Sequence, residues 1–176
     1  MRVMAGKSVL IIDTSILCVW LKIPGMDRCG KDEDPWDFER VDREIKAHID
    51  CKFTLVLPLA SIIETGNHIA HAPHNRRERA SDLAEMMRKA ADEKSPWAAF
   101  RDQHELWSPE NLNKLADEWP DLAAQKLAIG DATIKQVAEF YSRMGFEVKL
   151  LTGDEQLATY EPLAPPPMLP RRRQIP

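Results

Sequence analysis

Ser8-Val9-Leu10-Ile11-Ile12-Asp13 opens the readable part of the chain, with four apolar residues in an unbroken row and an acid at the end. A strand with one wet face alternates apolar and polar residues. A short continuous run rich in β-branched residues is the pattern of a strand buried on both faces of a parallel sheet. Asp13 then stands where such a strand ends. Phe53 to Leu57, closed by Pro58, reads the same way, and Glu147 to Leu151 makes a third strand, followed by the turn Thr152-Gly153-Asp154 and so again ending in an acid.

Between these strands the apolar spacing changes to that of helices. Phe38, Val41, Ile45 and Ile49 share one face; Leu83, Ala84, Met87 and Ala91 share another. Leu112, Leu115, Ala116 and Trp119 predict a helix that stops at Pro120. Asp131 reads as the N-cap of a helix carrying Ile134, Val137, Ala138 and Tyr141 and closed by Gly145. Ser61 opens the helix that carries Glu64. Strands alternating with helices predict an α/β fold, a three-layer α/β/α sandwich around a mainly parallel sheet. Ile23 to Pro35, mixed in Pro, Gly and charge, reads as a loop. Residues 1–161 are expected to form a single domain, with a helical middle at about 76–119. From Pro162 onward six prolines and Arg171-Arg172-Arg173 predict a mobile basic tail, 162–176.

Composition sets bounds on function. The 176 residues suit one domain, and 24 basic against 28 acidic side chains leave a net charge of -4. That balance counts against broad phosphate binding, although a divalent cation in an acidic pocket would offset it locally. Cys18, Cys29 and Cys51 show neither a disulfide framework nor zinc spacing. The run from Val9 to Ile12 is too short for a signal-peptide core or a membrane span, so a cytoplasmic protein without membrane attachment is expected.

Ligands of parallel α/β sheets bind outside the carboxyl ends of the strands. Asp13 and Asp154 follow strands, Glu64 projects from the helix after another, and Asp131 begins the helix leading into the last. Taken singly, Asp13, Asp131 and Asp154 read as ordinary turn or cap residues. Taken together, four carboxylates without histidine or cysteine partners favour a hard octahedral ion, Mg2+ or Mn2+, with one or two bound. The chemistry that fits such a site is phosphodiester hydrolysis.

Ile11-Ile12-Asp13-Thr14-Ser15, Ile62-Ile63-Glu64-Thr65, Gly130-Asp131-Ala132 and Leu151-Thr152-Gly153-Asp154 resemble, in order, the four acidic motifs of the PIN domain family. The resemblance spans nearly the whole chain before the proline tail. It implies a Rossmann-like sandwich, RNA cleavage with Mg2+ or Mn2+ held by Asp13, Glu64, Asp131 and Asp154, and supporting roles for Ser15 and Thr152. The partners it implies are an RNA substrate, an antitoxin or other operon-encoded protein, and a second copy of the chain. The middle section and the Ile23–Pro35 segment are longer than in the compact toxins of that family.

Three readings follow: a toxin-like endoribonuclease, a nuclease subunit switched on by a partner within a multi-gene defence or RNA-processing system, and a catalytically silent binding or scaffold protein. For the nuclease readings, Asp13→Asn is expected to abolish cleavage and leave the fold intact. Asn67, one helical turn after Glu64, is a candidate for bonding substrate or a metal-bound water. Arg76, Arg77, Arg79 and Arg88 are candidate phosphate contacts, weighed against a solvated helix face. His68, His71 and His74 match no zinc spacing. Trp97, Trp107 and Trp119 read as core or interface residues before base-stacking ones.

Overall fold

The computed structural model describes residues 7–164. Its centre is a parallel sheet in which β1 (Ser8–Ile12) lies between β4 (Thr54–Val56) and β5 (Glu147–Leu151). Ile11 pairs with Val56 on one side and with Leu150 on the other. The outer edge of β4 is covered by a short extended piece of chain. The Leu55 amide donates to the Pro96 carbonyl at 2.7 Å and the Ala98 amide donates to the Leu55 carbonyl at 2.8 Å. Edge groups that would otherwise lack partners are thereby paired.

Because strand side chains alternate between faces, the unbroken run of β1 feeds two cores. Leu10 and Ile12 face a cluster with Leu17, Val41, Ile45, Ile69 and Leu83. That layer is built by α1 (Thr14–Trp20), α2 (Phe38–Asp50), α3 (Leu59–His71) and α4 (Arg76–Ala91). Val9 and Ile11 face Ile134, Val137, Ala138 and Tyr141 of α6 (Ile129–Arg143), with Leu157 of α7 (Glu155–Ala158) beside them. The result is a three-layer α/β/α sandwich, as the strand and helix pattern predicts. All four apolar side chains of β1 are at most 1% exposed, and each contributes on the order of 1.5–3 kcal/mol by burial.

Several local expectations are corrected. The Ile23–Pro35 segment is not all loop. It contains β2 (Arg28–Lys31), which pairs antiparallel with β3 (Asp34–Asp37). Gly30, at φ +83°, and Pro35 face each other across this hairpin, and those residue types hid it, since neither favours a strand. Second, Pro120 lies inside α5 (Pro109–Ala124) instead of ending it. The proline forfeits one helical hydrogen bond, yet Leu115, Trp119 and Leu122 on both sides of it pack into one apolar cluster with Leu127 and Ala132.

Third, α4 is rotated relative to its predicted stripe: Leu83 and Ala90 are buried and Met86 is partly buried, whereas Met87 is 41% exposed and Ala91 is exposed. Fourth, α6 starts before Asp131. Its N-cap is Ala128, and Asp131 stands in the first turn. The start of α3 is likewise earlier, at Leu59 after Pro58. The helical middle runs through α4, a 3₁₀ segment (Phe100–Trp107) and α5, so it extends to Ala124. Of the predicted tail, residues 165–176, with all three arginines, lie outside the described residues.

Candidate functional site

Asp13 leaves β1 in extended backbone and caps α1. The residue is only 4% exposed, a degree of burial that acidic side chains tolerate when donors surround them. Those donors are present. Oδ1 accepts from the Thr14 amide at 2.6 Å; Oδ2 accepts from the Ser15 hydroxyl at 2.7 Å, the Thr152 hydroxyl at 2.8 Å and the Ser15 amide at 3.4 Å. The Asp13 amide itself donates to the Leu151 carbonyl at 3.0 Å, which fixes the end of β1 against the end of β5.

Both hydroxyls reach further. Ser15 Oγ accepts from the Gly153 amide at 3.0 Å, and Thr152 Oγ1 accepts from the Asp154 amide at 2.9 Å. Two bonds through the Thr152 hydroxyl thus link Asp13 to the backbone of Asp154, in the turn that caps α7. The exposed Asp154 side chain accepts from the Gln156 amide at 2.7 Å and the Leu157 amide at 3.0 Å. Its cap role is therefore observed alongside its place beside Asp13.

Glu64 arrives from α3, whose start is tied to β1 by the buried Ser61 hydroxyl donating to the Ile12 carbonyl at 2.9 Å. Its carboxylate accepts from the Thr14 hydroxyl at 2.9 Å. It also lies against α6: a Cβ on Gly130 would stand 2.0 Å from Glu64 Oε1. Gly130 is therefore the residue that lets the Glu64 carboxylate approach the start of the helix where Asp131 stands. The Asp131 carboxyl is pushed up to about 6, first by burial and then by the charges of Asp13, Asp154 and Glu64. The charges of the other three acids thus converge on Asp131 at the carboxyl end of the sheet.

They do not form a closed cage. Among the described residues, no three carboxylate, histidine or cysteine side chains stand as a ready ion-binding group. Three of the acids instead hold local donors: hydroxyls and amides on Asp13, Thr14 on Glu64, and the α7 amides on Asp154. Like charges in one corner take such partners in preference to approaching each other.

Ser15 and Thr152 sit on Asp13, where the motifs suggest. Asn67 is exposed, one turn along α3 from Glu64. The arginines gather elsewhere. Arg76 donates to the Ala72 carbonyl at 3.0 Å, and Arg79 donates to the Leu21 carbonyl at 2.9 Å and pairs with Asp82 at 3.2 Å and with Glu78. Arg76 and Arg77 line an open depression at the start of α4, and none of the three arginines is among the charges that shift Asp131. Trp97 is buried in the core, Trp119 is partly buried, and Trp107 is 41% exposed.

Two participants escape a reading of the sequence. Thr14, next to Asp13, joins it to Glu64; its adjacency to the first acid is the available signal. Cys29 of β2 is the other. A Cβ on Gly153 would lie 2.7 Å from its sulfur; burial raises its thiol pKa, a bond with Ser15 lowers it and the Asp13 charge raises it. The hairpin therefore closes one side of the acidic corner. Nothing local to Cys29 announces this.

Among the described residues no helix is long and apolar enough to cross a membrane. Compared with known proteins, the chain matches no family model, no curated protein and no solved structure.

Proposed function

We propose that the chain is a metal-dependent endoribonuclease that hydrolyses RNA phosphodiester bonds at the acidic corner, in the toxin-like manner its four motifs imply. One observation carries the reading. A continuous network, from Asp154 through Thr152 to Asp13, through Thr14 to Glu64 and across Gly130 to the start of α6, joins four separate stretches of chain at the carboxyl end of a parallel sheet. A half-buried carboxyl raised by burial and by three neighbouring acids, as Asp131 is, is the kind of group that functional sites concentrate.

The donor set fits a hard divalent ion. Every candidate donor is a carboxylate oxygen, and a cation would offset both the burial and the neighbouring charges that raise Asp131. Asp13, Glu64, Asp131 and Asp154 would hold Mg2+ or Mn2+, whose chemistry when bound is to acidify a water and neutralise charge on the scissile phosphate. The chain's own groups supply order. Ser15 and Thr152 hold Asp13 in one rotamer, Thr14 holds Glu64, and Gly130 leaves room for the Glu64 carboxylate.

The test uses the full chain with a labelled structured RNA, with and without manganese. Wild type should cut internally only with the cation, and Asp131→Asn and Glu64→Gln should be folded and inactive. A folded wild type that neither binds manganese in a calorimetric titration nor cuts RNA would remove the proposal.

A further inference from the structure

The β2–β3 hairpin and the turn before α7 enclose a small cleft beside Asp154. It has a volume of about 110 Å³ and is lined by Gly30, Lys31, Asp34 and Trp36 from the hairpin, by Asp154 from the turn and by Glu155 at the start of α7. The register explains how Trp36 comes to be there. It pairs directly with Cys29 across the hairpin, so both side chains leave the same face. Cys29 is pinned against Gly153, and Trp36 is carried alongside.

The indole is held before anything binds. The Arg40 guanidinium lies 3.9 Å from the centre of the ring. That guanidinium is in turn fixed by the Asp34 carboxylate, at 2.7 Å and 3.2 Å, and by the carbonyls of Asp34 at 3.2 Å and Pro35 at 3.1 Å. On the hairpin side the Gly30 backbone packs close to the edge of the ring, where a Cβ would meet Cδ1 at 3.1 Å, and the half-buried indole rests against the core while lining the cleft. An aromatic surface fixed in this way costs little further ordering when a flat ligand stacks on it.

The rim of the cleft is rich in acceptors. Asp34 is held by Arg40 and Glu155 by Lys31, at 2.6 Å. Each carboxylate is thereby oriented and keeps lone pairs beyond those it shares with its cation. Carboxylate acceptors suit a base edge that presents amine hydrogens and reject one that presents a carbonyl at the same place.

We propose that this cleft is a nucleobase subsite: Trp36 stacks the base of the nucleotide adjoining the scissile phosphate, and the Asp34 and Glu155 carboxylates select a base with an exocyclic amine over uracil. The assignment rests on the nuclease reading for its place in the reaction. Binding of a base at Trp36 is measurable without any cleavage.

The test observes the five tryptophan indole N–H signals of the full chain by NMR during additions of AMP, CMP, GMP and UMP. The Trp36 signal is the one missing from Trp36→Phe. It should move with the three amine-bearing nucleotides and respond about tenfold more weakly to UMP. In parallel, cleavage of RNAs that differ in one base should show the same preference in wild type and in Trp36→Phe, and lose it in Trp36→Leu. A Trp36 signal unmoved by every nucleotide, or moved equally by all four, overturns the subsite, as does an unchanged preference in a folded Trp36→Leu. A wild type whose Trp36 signal responds selectively but which cuts no RNA leaves the subsite standing and removes the nuclease reading.

Discussion

The Thr152 hydroxyl donates to Asp13 Oδ2 at 2.8 Å while accepting from the Asp154 amide at 2.9 Å, so one side chain sets the positions of two acids that are 141 residues apart in number only (154 − 13). A hydrogen bond to a buried carboxylate contributes more than a neutral one, about 1.5–3 kcal/mol. Thr152→Val keeps the shape and removes both bonds. It should lower unfolding free energy by about that amount and reduce manganese-dependent cleavage, while Thr152→Ser restores most of each. Urea denaturation and initial rates check the two effects separately.

The same geometry changes the choice of inactive variant. Asp13 takes four donors on its two oxygens, so Asp13→Asn turns one accepting atom into a donor among donors. It should lose about 1–3 kcal/mol of stability along with activity, contrary to the expectation that the fold would be untouched. Asp131→Asn has the opposite effect on stability, because it removes a charge that the site disfavours.

That difference gives a dependence on pH. The Asp131 carboxyl has its folded-state pKa raised from 3.8 to about 6, so the folded protein binds this proton more tightly than the unfolded one. Protonation therefore favours folding, and the gain accumulates as pH falls through about 6 toward the unfolded value. Metal-free wild type should gain stability relative to Asp131→Asn between about pH 7.5 and about pH 5. The variant should be the more stable of the two at the upper end. Thermal midpoints across this window decide it, and saturating manganese should flatten the difference.

Gly130 offers a test of contact between α3 and α6. Gly130→Ala places a methyl 2.0 Å from Glu64 Oε1, so the carboxylate must swing away and release Thr14. Manganese affinity should fall about tenfold or more with helix content unchanged. Combining Gly130→Ala with Glu64→Ala should cost less stability than the two single losses added, since the clash is gone. Strict additivity would show that the contact does not exist in solution.

Arg79 should prove structural. Its side chain is 16% exposed and bridges α4 to the Leu21 carbonyl, so Arg79→Met should cost about 1–2 kcal/mol and leave the KM for RNA unchanged. Arg77→Ala should alter neither quantity. A rise in KM for Arg79→Met without loss of stability would return this arginine to the substrate.

The extent of legibility differs from one element to the next. Ser8–Ile12 is read to the residue, because a buried parallel strand needs apolar side chains on both faces and the run itself records that; Glu147–Leu151 is read to the residue as well, between Gly145 and the turn Thr152-Gly153-Asp154, although Glu147 and Lys149 interrupt its apolar side chains. The stripe Ile134, Val137, Ala138 and Tyr141 is likewise written in the spacing. The hairpin at Arg28–Lys31 and Asp34–Asp37 is not, since Gly30 and Pro35 carry no strand preference and its residues are partly or fully exposed. Nor is the passage of α5 through Pro120, which depends on packing around Leu115 and Leu127.

The sequence alone determined the α/β class, the presence of the three strands of the main sheet, and four acids each at the end of a strand or within a turn or two of a helix start, because burial and capping follow from neighbours along the chain. Only the tertiary structure decided that Thr152 holds Asp13, that Glu64 lies over Gly130, and that Cys29 and Trp36 close the corner. Hydrogen bonds and charge repulsion act over a few ångströms of space, and residues 139 positions apart share that space only once the parallel sheet has set β5 beside β1.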